Sequence, residues 1–279
     1  MPTAALPIEL SRRMEAADAY EAAAGLRGLA ARLGQDTAGV AVGEFGRAVA
    51  VTAHCLPTSL YNRVMGFDAA ALDALDDIIA FYRTRDTPAR FDLVPDFATP
   101  DVTAGLRARG FEHRTKSIFS NLMMSRPPTA DIPPPPPGVR IRQVERGEAK
   151  LLGDTHAAGL TYPSPTRDYL GLQLETRLAD PVTTGFLAEI DGEPAATGLL
   201  TIVDGIGYLG HASTIPAFRG RGCQTALIVA RQARAAMMNC DRVVTFPVPG
   251  TASHRNVERC GFTLAHRIQV WMDEDVERE

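Results

Sequence analysis

Five consecutive prolines, Pro133 to Pro137, stand near the middle of the 279 residues, inside the segment 126–138 (RPPTADIPPPPPG). Each proline fixes its φ and lacks an N–H, so neither a helix nor a central strand continues through the run. Such a run favours an extended, semi-rigid spacer. The chain is therefore expected to fold in two pieces, residues 1–126 and 139–279, with 127–138 as a proline-rich linker. A proline-rich ligand for another module is the competing reading, but the run falls between two patterned halves, as a linker would.

Both halves mix helical and strand-like periodicity, which places the chain in the α/β (α+β) class. In the first half, helices are expected at 9–33, 69–82 and 100–109. Strands are expected at 39–45, 47–54 and 90–94, with extended residues on to Met124. In the second half, strands are expected at 139–144, 185–190, 195–203, 206–215 and 242–246. Helices are expected at 148–158, 168–177, 223–238 and 251–260, and strand-like residues 262–272 close the pattern. In the helix at 223–238, Leu227, Ala230, Ala233 and Met237 fall on one stripe. Each half carries a small echo of the other: Leu106-Arg107-Ala108-Arg109-Gly110-Phe111 against Val257-Glu258-Arg259-Cys260-Gly261-Phe262. Both read as a helix closed by glycine and then a strand.

The balance of 29 Lys+Arg against 33 Asp+Glu, a formal charge of −4, gives no support for nucleic-acid or membrane-surface binding. The first residues, MPTAALPIELSRRMEAADAY, lack a basic start followed by an apolar core, so no secretory signal is expected. The four cysteines, Cys55, Cys223, Cys240 and Cys260, form no CxxC pair and have no zinc-like spacing with histidine. Reduced thiols in a cytoplasmic protein without a metal are the expectation.

The chemistry concentrates in Pro216-Ala217-Phe218-Arg219-Gly220-Arg221-Gly222-Cys223-Gln224-Thr225. A strand leads in and a helix leads out. Glycines allow close backbone approach, and the positive end of the helix attracts an anion. The segment is a candidate phosphate cradle, and it is neither GxxxxGK[ST] nor GxGxxG.

The order strand, proline, Arg-Gly-Arg-Gly, helix resembles the acyl-CoA-binding motif of the GNAT superfamily of N-acyltransferases. In that motif a Gln or Arg is followed after two residues by Gly, then after one more by Gly or Ala. Arg219, Gly222 and Gln224 occupy the matching positions, and Gln224 replaces a small residue. The segment 251–262 resembles the family's later helix with Gly-Phe. The resemblance covers the second half. For the first half, element order and Gly110-Phe111 imply a degenerate copy. There Tyr61 to Asp68 stands in the loop position with one glycine, and Asp73, Asp76 and Asp77 follow, which would repel a pyrophosphate.

The resemblance implies two GNAT-like domains, each with a mixed, mainly antiparallel sheet flanked by helices. It implies acetyl-CoA, or another acyl-CoA, as co-substrate of the second domain only. Backbone N–H groups of Arg221, Gly222, Cys223, Gln224 and Thr225 would hold the pyrophosphate, Arg219 and Gly220 would complete the acyl-CoA loop, and the backbone of Ser213 and Thr214 would pair with the pantetheine arm. The acceptor would be an amine on a small molecule or a protein, attacking directly; an acyl-CoA sensor without turnover is the alternative. A homodimer is left open. Many relatives carry a tyrosine, as acid for the leaving thiolate, where Val257 stands here. Tyr208 and His211, on the strand before the loop, are the candidate catalytic groups, and strict alternation would put them on opposite faces. Cys223, at a helix N-terminus, is expected to have a lowered thiol pKa. Tyr162 and Trp271 are candidates for shaping the acceptor site, with packing as the plainer role.

Overall fold

Alanine and leucine, strong helix formers, carry the first helix, α1 (Ile8–Leu33), until Gly34 ends it with φ +84°. The computed structural model describes residues 6–56, 58–115 and 122–273; of the extended stretch expected to reach Met124, residues 116–121 lie outside the described ones. After a short α2 (Gln35–Ala38) come β1 (Val40–Phe45), β2 (Ala48–Ala53) and β3 (Arg63–Met65). A 3-10 turn at Ala69–Ala74 runs into α3 (Leu75–Arg83), followed by β4 (Arg90–Leu93), α4 (Pro100–Arg107), β5 (Phe111–Arg114) and β6 (Leu122–Arg126). Beyond the prolines lie β7 (Val139–Gln143), α5 (Ala149–Gly159), α6 (Thr166–Arg177), β8 (Thr183–Ile190), β9 (Glu193–Val203) and β10 (Ile206–Thr214). The chain continues through α7 (Cys223–Met237), β11 (Arg242–Thr245), α8 (Ala252–Arg259), β12 (Thr263–Arg267) and β13 (Gln269–Asp273). Gly110 and Gly261, the echoed glycines, take φ +84° and +81° just after α4 and α8.

Two compact units form, but not at the expected boundaries. The first joins residues 1–123 to 264–279, and the second is 124–263. One sheet has six strands in the order β1-β2-β3-β4-β13-β5, and a second sheet has seven, β12-β6-β11-β10-β9-β8-β7. β3 with β4 and β10 with β11 are parallel, bridged by α3 and α7. The remaining ladders of β1–β2–β3 and β7–β8–β9–β10 are antiparallel.

The division expected at the prolines fails for two strands. β6 precedes them yet lies beside β11 in the second sheet, with Met124 opposite Thr245 and Arg126 opposite Val243. β13 ends the described chain yet lies between β4 and β5 in the first sheet, with Trp271 opposite both Phe91 and His113. The run Val270-Trp271-Met272 is buried throughout, as a central strand covered on both faces requires. Trp271 joins Phe67, Phe91, Phe111, Leu75 and Tyr82 in the core of the first unit, the packing role that is its plainer reading.

The proline run is not a free spacer. Pro133–Pro136 form one wall of an apolar groove of about 480 Å³, whose other wall includes Ala230, Ala233 and Met237 of α7. Of the stripe read in the sequence, Ala230, Ala233 and Met237 face these prolines, whereas Leu227 does not. The core side of α7 carries Leu227, Ile228, Ala235 and two polar groups, Arg231 and Gln232.

In the first unit, α1 turns a polar stripe inward. Arg63 grips Asp18 with both Nη atoms (2.9 and 3.0 Å) and also reaches Asp92 at 3.0 Å. Glu15, 8% exposed, has an Oε1 without a partner. Burial, reinforced by Asp18 and Asp68, pushes its carboxyl up to about 8, against the pull of the Gly66 N–H and Arg12. The folded pKa therefore lies above the unfolded one. The contribution of the neutral form is complete below the unfolded pKa of 4.5 and is lost as pH rises through about 8. Glu15→Gln, which stays neutral, is expected to remove most of the fall in urea midpoint between pH 5 and 9 that the parent protein shows. An equal fall in both would place the titration elsewhere.

Candidate functional site: a split strand beside an uncapped helix

β10 pairs with β11 only over Ile206, Gly207 and Tyr208, so its edge on that side has no strand partner from Leu209 onward. On its other side it pairs with β9, with a register break between Gly210 and Ser213. His211 sits in the break with φ +48°. An extra residue in one strand bends it and re-aims side chains. Beyond β10 a 3-10 turn, Pro216–Phe218, leads to Gly220 (φ +78°) and Gly222 (φ +84°), the residue immediately before α7. No side chain caps α7. The first backbone N–H of the helix to find an intrahelical carbonyl is that of Ala226, which donates to Gly222, so the N–H groups of Cys223, Gln224 and Thr225 precede the helical ladder. This is a candidate anion cradle, with an unpaired strand edge leading into it.

The expected loop residues separate into two kinds. Arg221 is half exposed, with Asp191 3.7 Å away. The Arg219 side chain has another role: its Nε donates to the Thr214 carbonyl and its Nη2 to the Gly159 carbonyl, tying the loop to the end of α5. Cys223 is 2% exposed, and burial pushes its thiol up despite Arg221 nearby, so the expected lowering does not occur. A Cβ on Gly222 would lie 2.7 Å from Pro136 Cγ, so this glycine is required by contact as well as by φ.

The bulge also overturns strict alternation for Tyr208 and His211. Tyr208 is registered with Thr201, whose hydroxyl accepts from Arg177 of α6, so Tyr208 points to the α5–α6 side. The His211 ring meets the His156 ring of α5 edge-on at 6.1 Å, on that same side. Tyr208 stacks on Phe246 at 5.8 Å.

His156 is a residue that sequence reasoning missed. It is 4% exposed, and burial followed by the neighbouring His211 pushes it down to about 3, so it is neutral at any ordinary pH. Its proton can be placed from the hydrogen bonds. Ser213 Oγ donates to the His156 carbonyl (3.0 Å), which uses its only proton. The Thr197 hydroxyl, 3.3 Å from Ser213 Oγ, is then the donor in that pair, and Thr197 Oγ1 accepts from His156 Nδ1 at 3.0 Å. Nε2 is left as an acceptor beside His211. Thr214 Oγ1 is buried without a partner.

Gly159, the last residue of α5, lies against the bulge. A Cβ there would fall 2.6 Å from Ser213 Oγ and 2.9 Å from the Thr214 backbone nitrogen. The Thr214 nitrogen, and the Ser213 Cβ at 2.8 Å, cannot yield without moving β10. Gly159→Ala is expected to cost about 1–3 kcal/mol in thermal or urea unfolding, as overpacking does. An unchanged midpoint would mean the contact is slack.

The corresponding place in the first unit is closed. β3 ends at Met65, Glu15 accepts the Gly66 N–H, and the Asp68 side chain accepts from Ala70 N, capping the 3-10 turn. The acidic helix start persists, although Asp76 is paired with Arg109. Among the described residues no helix is long and apolar enough to cross a membrane, and no group of three or more His, Cys, Asp or Glu could hold a metal ion. Tyr162 is 41% exposed, ahead of α6.

Residues 154–262, which hold the cradle, the split strand and both histidines, match the Acetyltransferase (GNAT) family. Among solved structures, a GCN5-related N-acetyltransferase from Kribbella flavida is 19% identical with a TM-score of 0.59, covering 92% of this chain and 95% of that one. A GCN5-related N-acetyltransferase from Sphaerobacter thermophilus is 15% identical with a TM-score of 0.54, covering 83% of this chain and 82% of that one. A tandem GNAT protein from the clavulanic acid biosynthesis pathway is 15% identical with a TM-score of 0.60, covering 83% of this chain and 79% of that one. At these identities the likeness is one of fold. A comparison with curated protein sequences finds no match.

Proposed function

The chain carries an acetyltransferase domain of the GNAT family, and on that premise we propose that its second unit transfers an acyl group from acetyl-CoA, or another acyl-CoA, to an amine. The observation that carries this reading is the unpaired edge of β10 running into an uncapped helix start behind two left-handed glycines. The N–H groups of Arg221, Gly222, Cys223, Gln224 and Thr225 are suited to a pyrophosphate. The edge at Ser213 and Thr214 is suited to an extended amide-bearing arm, which binds as an added strand does.

The step itself needs little beyond positioning. The amine nitrogen attacks the thioester carbonyl carbon, the C–S bond breaks, its electron pair leaves as thiolate, and the nitrogen gives up a proton. His211, aimed by the bulge, is the group we assign to take that proton, directly or through water. Neutral His156 offers Nε2 as a hydrogen-bond acceptor to orient the amine. Tyr208, on the same face, lines the approach. The acceptor is a small-molecule or protein amine.

Release of free thiol from acetyl-CoA across a broad panel of amines tests the reading. Turnover with any acceptor, strongly reduced in His211→Ala, supports it. Val257 favours a second reading, an acyl-CoA sensor: it is buried at 3% exposure and offers no proton to a leaving thiolate. Tight acetyl-CoA binding without thiol release on any amine would favour the sensor.

A further inference from the structure

Arg231 is an anomaly in the second unit. It is 1% exposed, on the core side of α7. Buried arginines are ordinarily paired with a carboxylate, and this one has none. Its Nε donates to the Leu227 carbonyl (3.1 Å) and its Nη1 to the carbonyls of Leu199 (3.0 Å) and Gly210 (3.2 Å), while Nη2 donates to no described protein acceptor. Room for it is made by Gly198, where a Cβ would lie 2.8 Å from the guanidinium carbon. Burial draws its pKa down to about 10, which still leaves a full positive charge near neutrality.

The location of that charge is specific. Leu199 and Gly210 are register partners, the last pair before the bulge, and the edge of β10 opposite β9 has just lost β11. The Leu209 carbonyl on that stretch takes a hydrogen bond from the Thr245 hydroxyl. The one titratable group whose charge couples to Arg231 is Cys260, at the end of α8. The Cys260 thiol is pushed up by burial and drawn down by Arg126, Arg259 and Arg231. Arg231 thus lies on the α7 side of the split, against the last pair before the bulge and within electrostatic reach of Cys260, which follows α8. His211 and Tyr208 lie on the opposite side of the sheet.

We propose that Arg231 stabilises the coenzyme A thiolate released in acyl transfer, replacing the proton donor missing at Val257. This rests on the acyl-transfer reading above. The amine nitrogen bonds to the carbonyl carbon, the sulfur departs with the C–S pair, and it remains a thiolate beside the guanidinium. The amine proton goes to His211 or water. No acid is consumed.

The test reads the ligand rather than turnover. The thiol of coenzyme A bound to the full chain is titrated by thiolate absorbance, and the affinities of coenzyme A and desulfo-coenzyme A are measured by calorimetry. In the parent protein the bound thiol is expected to ionise at least one pKa unit below the ordinary thiol value of about 8.5, a tenfold gain in thiolate at a given pH. Arg231→Gln is expected to abolish that shift and leave the affinity for desulfo-coenzyme A within about twofold, with Arg231→Lys restoring part of the shift. A bound thiol with its ordinary pKa in the parent protein overturns the proposal, even if Arg231→Gln does not fold. Equal losses for both ligands in Arg231→Gln also overturn it, because a purely structural role would weaken both. Binding of neither ligand to the parent protein instead removes the acyl-transfer reading, and the role of Arg231 with it.

Discussion

Cutting the chain within the proline run is expected to yield two pieces that do not fold. Residues 139–279 alone would lack β6, the strand between β11 and β12, leaving two inner edges of the second sheet unpaired. Residues 1–126 alone would lack β13, which fills the gap between β4 and β5 and brings Trp271 into the core. Loss of a buried aromatic alone costs about 3–5 kcal/mol, and the missing strand removes two ladders besides. The aromatic alone is a large fraction of the stability of an ordinary domain, about 5–15 kcal/mol. The sole tryptophan lies in the first unit, so its fluorescence reports that unit alone. Mixing the two pieces is expected to restore a blue-shifted, cooperatively melting Trp271 signal. Two independently folded halves, each melting cooperatively, would contradict the strand assignment.

Gly222→Glu is expected to abolish acetyl-CoA binding, with a loss beyond about a hundredfold by calorimetry and a fall of a few degrees in thermal midpoint. Three effects add. A non-glycine residue at φ +84° carries about 1–2 kcal/mol of strain. The new Cβ meets Pro136 at 2.7 Å, which displaces either the loop or the proline wall. The carboxylate then stands where a pyrophosphate must sit, at the positive end of α7. Gly222→Ala keeps the first two effects without the third, so an intermediate loss is expected. A Gly220→Ala comparison isolates the contact, because a Cβ there has open space around it, though at φ +78°. Undiminished binding by Gly222→Glu would mean the ligand does not use this loop.

Much of the fold was legible in the sequence, and what was not has definite causes. Periodicity marked α1, α7 and α8 within a residue or two, since those helices end at glycines or turns that local chemistry dictates. It missed β3, three residues long, because so short a strand has no period to read. It could not show that β6 and β13 leave their own halves, since strand pairing is non-local and no residue type encodes the partner. The stripe on α7 divides: Leu227 is buried in the core, while Ala230, Ala233 and Met237 line the groove opposite the prolines. Arg231, which reads as a surface residue by type, is buried because two backbone carbonyls at a bulge need a donor.

The candidate site divides in the same way. The cradle was visible because Gly220 and Gly222 are demanded by backbone geometry. The histidine pair was half visible. His211 was in view, but His156 lies 55 residues earlier on another element, and only the bulge brings the two rings together. The bulge also explains why alternation failed for Tyr208, as a single added residue reverses every face beyond it.

Hydrogen exchange of the backbone amides, followed with and without acetyl-CoA, tests most directly whether the second unit is the acyl-CoA site. The expected result is strong protection confined to residues 212–214 and 221–225, with residues 63–70 of the first unit unchanged. No added protection in either second-unit stretch at saturating acetyl-CoA, or protection at 63–70 instead, would contradict it.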